Sequence, residues 1–178
     1  MVVRPFLIAW IVACLAGPAW PCSVVGPLPS AEALVRDAEV VARVRAEGLS
    51  STPGRSGVLA ESSTQVRFAV LEILKGSLPS ATIEFNGSLT DRDDHNRGPV
   101  PYGHVRPGGS AGCFALEYRP GAEYLLLLRR GKHPSYAQPD DLTPYWTPIA
   151  PTNEQLFDGA SDAWFVWVSR QLRRRSGA

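Results

Sequence analysis

Net charge is nearly absent from this chain: 18 Lys and Arg against 17 Asp and Glu leave +1 over 178 residues. No bulk field therefore draws it to nucleic acid or to an anionic membrane, and any partner must be recognised locally. Long hydrophobic runs are also missing, since the apolar run from Phe6 to Leu15 is too short to cross a bilayer comfortably. No nucleotide-binding loop, Ser-His-Asp order, supported carboxylate pair or internal repeat is present, so no motif assigns an enzymatic activity. The three histidines, His95, His104 and His133, fall in segments that read as loops.

What the N-terminus does have is the three-part layout of a secretory signal: Arg4, the short apolar run, then small residues and prolines. Gly17 and Ala19 supply the small residues that favour cleavage after Ala19, with Ala16 as an alternative. The reading is residues 1–19 as signal and 20–178 as one exported domain, secreted or periplasmic. A rival lies in "IVAC", Ile11 to Cys14, which resembles a lipoprotein lipobox and would anchor the chain outside the cytoplasm through Cys14.

Cysteine is scarce, at positions 14, 22 and 113. If Cys14 leaves with the signal, an even pair far apart in sequence remains in an oxidising compartment, and a Cys22 to Cys113 disulfide is the simplest use of it. Such a bridge would stabilise the fold by about 4 to 5 kcal/mol in the loop-closure account and pin the mature N-terminus to the domain. A catalytic thiol is the alternative, but Cys113 has no neighbouring acid, base or elbow signature.

Along the chain, Leu28 to Ala38 predicts a short helix capped by Ser30. Strand alternation follows from Glu39 to Glu47, with Val40, Ala42 and Val44 on one side and Val41, Arg43 and Arg45 on the other. Gly48 to Ser63 reads as a long hairpin loop. Thr64 to Gly76 alternates Val66, Phe68 and Val70 against Gln65 and Arg67, then turns apolar on both faces, and Lys75 to Pro79 makes a tight turn. Ala81, Ile83 and Phe85 form the inward side of the next strand. Leu89 to Gly112 reads as an irregular insertion, Glu123 to Gly131 as a central strand covered on both faces, and Pro144 to Ala150 as a proline-interrupted edge strand. Thr152 to Gln155 has capping-box spacing, and Trp164, Trp167, Val168, Gln171 and Leu172 predict a terminal helix covering a barrel opening. Five strands with long connections and two flanking helices suit a mainly β, five-stranded Greek-key barrel of the OB type.

The order "CS", "AEALVRDAEVVARVRAE", "VRFAVLEILKGSLPSATIEF" and "CFALEYRPGAEYLLLL" resembles the bacterial members of the netrin-like, or tissue-inhibitor-of-metalloproteinases-like, OB-fold superfamily, over about Cys22 to Leu128. The resemblance implies a barrel with its N-terminal segment clamped by a disulfide, and a protein partner engaged by that segment, Cys22, Ser23 and Val24. In the animal inhibitors an N-terminal cysteine chelates the zinc of a metalloproteinase. Here only Cys22 could do so, and two features oppose it: cleavage would have to follow Pro21, and "CSV" lacks the second cysteine.

Other constellations compete. Asp91, Asp93 and His95 alternate somewhat like a calcium loop, with His104 nearby, but Arg92 and Arg97 intrude and no later bidentate glutamate follows, so a solvated loop is the plainer reading. Arg43, Arg45 and Arg67 face outward, yet Glu39, Glu47 and Glu84 interleave with them and Phe68 and Phe85 point inward, which disfavours a strand-binding nucleic-acid groove. Trp164, Phe165 and Trp167 beside Arg170, Arg173, Arg174 and Arg175 could lay the last helix on a membrane, though core packing explains the aromatics more cheaply. The expectation is a non-enzymatic, cofactor-free, exported protein-binding module, with a metalloproteinase inhibitor or a metal-dependent protein using residues 91–104 as alternatives.

Overall fold

A computed structural model describes residues 29–50, 64–103, 117–130, 142–144 and 153–176. Within them lie α1 (Ala31–Asp37), β1 (Val40–Leu49), β2 (Gln65–Lys75), β3 (Thr82–Asn86), β4 (Ser88–Leu89), β5 (Glu117–Tyr118), β6 (Glu123–Arg130), β7 (Leu142–Pro144), β8 (Asn153–Leu156), a 3-10 turn at Gly159–Ser161, and α2 (Ala163–Ser176). The fold is mainly β, an antiparallel sheet with two helices. Its strands run β3-β2-β1-β6-β7, and β8 joins the same side of β6 nearer that strand's start, while β4 and β5 pair in parallel as a separate short ladder.

Alternation along β1 divides the core in two. Val40, Ala42, Val44 and Ala46 join Val66, Phe68, Ile83, Phe85, Tyr118, Tyr124, Leu126 and Leu128 in one buried cluster. Val41, on the opposite face, joins Leu125, Leu127 and Leu156 beneath Ala31, Leu34 and Val35 of α1 and Trp164, Phe165, Val168 and Leu172 of α2. β6 therefore needs apolar residues at successive positions, as its "LLLL" run predicts. The expected parities of β1 and β2 and the inward Ile83 and Phe85 hold, but Ala81 is exposed and precedes β3.

The first cluster is built from strands, with ring contacts at its centre. Phe68 meets Tyr118 edge to face at 4.8 Å, Tyr124 at 6.3 Å and Phe85 at 6.0 Å. Three register shifts bend the β1–β2 ladder: β2 has an extra residue at Leu71 and at Leu74, and β1 at Glu47. Such bulges raise local twist and curl a sheet around its inner face.

Helix α1 starts at the predicted cap, where the Ala33 N–H donates to Ser30 Oγ at 3.2 Å. Its other end is held by β2: Lys75 Nζ donates to the carbonyls of Arg36 at 2.9 Å and Val35 at 3.4 Å, and to that of Ala38. Burial, then the charge of Arg175, lowers the Lys75 pKa.

Several boundaries differ from those expected. β1 continues through Leu49, because Gly48 and Leu49 still pair with Arg67 and Val66, so the loop expected from Gly48 starts later. Thr152 to Gln155 is not a helix start: Asn153 to Leu156 forms β8 on the open side of β6, satisfying its backbone there. The cap of α2 is Asp162, whose Oδ1 accepts the Trp164 N–H at 2.8 Å and whose Oδ2 accepts that of Phe157 at 2.9 Å. The helix lies across the face of the sheet carrying Val41, Leu125 and Leu127. The strand near Pro144 is Leu142–Pro144, and 145–152 lie outside the described residues, as does the expected loop core 51–63.

Candidate functional site

The stretch after β4, read from sequence as an irregular insertion, is pinned to the sheet by side chains. Glu117 of β5 accepts from Arg92 Nη2 at 2.8 Å, three residues beyond the end of β4. Farther on, Gln155 of β8 uses both ends of its amide: Oε1 accepts the Asp94 N–H at 2.8 Å and Nε2 donates to Asp93 Oδ1 at 2.8 Å. His95 bridges to Gln155 through backbone in the parallel sense. Asn96 Nδ2 reaches Glu154 Oε1 at 3.4 Å.

Arg119, in the turn before β6, closes the group. Its Nη1 donates to Asp93 Oδ1, and its N–H donates to Tyr124 Oη at 2.7 Å. The Arg119 hydrogen bond, then that of Gln155, lowers the Asp93 pKa. The carboxylate is thus held ionised and weakly basic. His95 Nε2 stands 3.5 Å from the same oxygen, its Nδ1 is buried, and its ring lies edge-on to Phe157 at 5.2 Å. Nδ1 is therefore turned into the fold, while Nε2 faces the half-exposed Asp93 carboxylate. Beside this cluster a shallow open groove is lined by Leu89, Thr90, Asp91, Arg92, Glu117, Arg119 and Pro120.

Of the residues singled out from sequence, the structure brings Asp93 and His95 together, while Asp91 lines the neighbouring groove. Among the described residues no group of three or more His, Cys, Asp or Glu side chains is placed to hold a metal ion. His104, Cys14, Cys22, Ser23, Val24 and Cys113 lie outside the described residues. Gln155 and Arg119 were not anticipated. Gln155 looked like a cap residue, and the only local signal for Arg119 is its place in the "RPG" turn.

The arginines considered for nucleic acid take structural partners. Arg43 and Arg45 both donate to Glu123, at 2.8 and 2.9 Å, and Arg43 also reaches Glu72 at 3.4 Å. Arg43 lies 5.5 Å from the ring centroid of Phe165, which places it under α2. Phe68 and Phe85 are buried. No helix of the described residues is long and apolar enough to cross a membrane. The chain matches no protein-family model, and no curated protein matches it.

Proposed function

We propose that the chain is an exported, non-enzymatic protein-binding module of netrin-like build, a five-stranded OB-type barrel stapled by Cys22 and Cys113. In this reading the clamped N-terminal segment, Cys22 to Val24, engages an extracytoplasmic protein. The observation that supports it most is the return of the stretch after β3 and β4 to β8, at the other side of the sheet. In the order β3-β2-β1-β6, β8 lies beyond β6, yet the stretch following β3 and β4 returns to it through the His95–Gln155 bridge and the Asp93 and Asp94 contacts. In the proposed barrel this return would bring chain from the β3 side of the curled sheet to its β8 side, and the strand-built aromatic cluster would be the interior. The binding role rests on the sequence resemblance and on the general use of such barrels as scaffolds for loops.

The test is mass spectrometry of the full chain after export from a bacterial host, before and after reduction, followed by cross-linking. The expected product begins at Trp20 and yields a Cys22–Cys113 linked peptide that reduction separates. A photo-cross-linking residue in place of Ser23 should give a discrete protein adduct that the same residue at Glu32 does not. Free thiols would overturn the staple. A Cys22 start with stoichiometric inhibition of a zinc metalloproteinase would replace this reading with the inhibitor one, and stoichiometric bound metal would replace it with the metal-dependent one.

A further inference from the structure

Helix α2, "AWFVWVSRQLRRRS", contains four arginines and no carboxylate. At about 100° per residue, Trp164, Phe165, Val168 and Leu172 share one side, and these are the residues buried against the sheet. Arg170, Arg173 and Arg174 fall on the opposite side, within about 100° of one another, and all three are exposed. Spacings of three and four residues make them neighbours on the helix surface. Among the described residues no ion pair engages any of them. Arg175 is different: it falls on the sheet-facing side and acts electrostatically on Asp37 and Lys75.

Three like charges at neighbouring positions repel, so the ridge costs the isolated helix stability. Attraction to the C-terminal end of the helix dipole offsets this for Arg173 and Arg174, which lie in the last turn. It does little for Arg170, a turn earlier on the same side. The aromatic residues that could have inserted into a bilayer are committed elsewhere: Trp164 stacks between Tyr102 at 4.8 Å and Trp167 at 5.1 Å. What α2 offers outward is therefore mostly charge, on the convex side of a helix: the half-buried Val166 shares the arginine side, and Trp167 at its margin packs against the core.

We infer that the Arg170, Arg173 and Arg174 ridge is a docking surface for an anionic phospholipid bilayer, held by charge and without insertion. A flat anionic surface meets all three guanidinium groups of a convex ridge at once. A single polyanion strand is better held by a groove with stacking rings, and those of Phe68 and Phe85 are buried. The chain's near-zero net charge does not oppose this, because attraction falls off within about a Debye length, about 10 Å at 0.1 M salt, and the ridge is the nearest charge to the membrane. This inference is independent of what the N-terminal segment binds.

The test is co-sedimentation of the full-length protein with vesicles of phosphatidylcholine alone or mixed with an equal part of phosphatidylglycerol. Each arginine at an anionic surface should strengthen attachment about fivefold, so the triple variant R170Q/R173Q/R174Q should bind the mixed vesicles about a hundredfold more weakly. The triple lysine variant should bind nearly as the parent does, and added salt should release both. Unchanged far-ultraviolet circular dichroism and thermal midpoint would show that the variants remain folded. Equal attachment to both vesicle types, binding unaffected by the glutamine substitutions, or a ridge-dependent preference for heparin over the mixed vesicles would overturn the inference.

Discussion

Arg45 sits directly across the β1–β6 ladder from Glu123, and Arg43, two residues back along β1, reaches the same carboxylate diagonally. The two cross-strand contacts divide the oxygens of Glu123 between them, Oε2 to Arg43 and Oε1 to Arg45. This pairing keeps charge tolerable on the face that α2 covers, where Arg43 packs beneath Phe165. It also explains why outward-facing arginines on a strand need not signal a ligand.

Glu123 should give the protein an acid-sensitive element. Burial is the largest single influence and raises its pKa, but the hydrogen bonds of Arg45 and Arg43 and their charges together bring the value below the ordinary 4.5. A carboxylate with a folded pKa below its unfolded one adds stability above the unfolded value and loses it as pH falls through the folded one. Glu123→Gln should cost about 1–2 kcal/mol at neutral pH. Denaturant melts of parent and variant should converge on acidification below pH 4.5, and a difference that stays constant with pH would refute the assignment.

The two clusters should respond differently to truncation. Phe68→Ala and Trp164→Ala should each cost about 3–5 kcal/mol, as expected for a buried aromatic. Hydrogen exchange separates them. Trp164→Ala should speed exchange along α2 with β2 and β3 still protected, whereas Phe68→Ala should loosen the β2–β3 ladder first.

Gln155 ties the 91–98 stretch to β8 through both ends of its amide. Replacing it with Ala removes the acceptor of the Asp94 N–H and one of the donors to Asp93, at a cost of about 0.5–1.5 kcal/mol for each hydrogen bond lost. Exchange of the amides from Arg92 to Asn96 should rise while the β1–β2 amides stay protected. Uniform loss of protection would show that Gln155 acts through the global fold instead.

Two glycines make a contrasting pair. Gly76 has φ +74°, and a Cβ there would collide with the Glu39 carbonyl oxygen. Gly121 has φ +79° but open space where a Cβ would lie. Gly121→Ala should therefore cost only the left-handed backbone strain of about 1–2 kcal/mol, and Gly76→Ala distinctly more. Thermal melts showing equal losses would contradict the close approach of the β2–β3 turn to Glu39.

Legibility followed how local the information was. The cap at Ser30 and the burial of Ile83 and Phe85 depend on side chains a few residues apart, and the sequence showed them directly. The face assignment of β8 did not, because "NEQL" offers no apolar period, and its strand form comes from pairing with Glu123 to Leu126. The 91–98 stretch looked like free solvent-exposed loop for the same reason. Its partners Arg119 and Gln155 are distant in sequence, and nothing near Asp93 announces them.

The "LLLL" run alone determined that β6 carries apolar side chains on both faces, and alternation that β1 sets Val40, Ala42 and Val44 against Arg43 and Arg45, since side chains on a strand alternate whatever the partner. Spacing alone determined that the last helix has an apolar side, whereas the structure continues that helix through Ser176 and so sets the arginines on its surface. Tertiary structure decided which polar groups are free to act. It drew Arg43 and Arg45 onto Glu123 and Asp93 onto Arg119 and Gln155, and left Arg170, Arg173 and Arg174 facing outward. The reason is physical: a charge finds its partner through space, and distance through space is set only once the strands have paired.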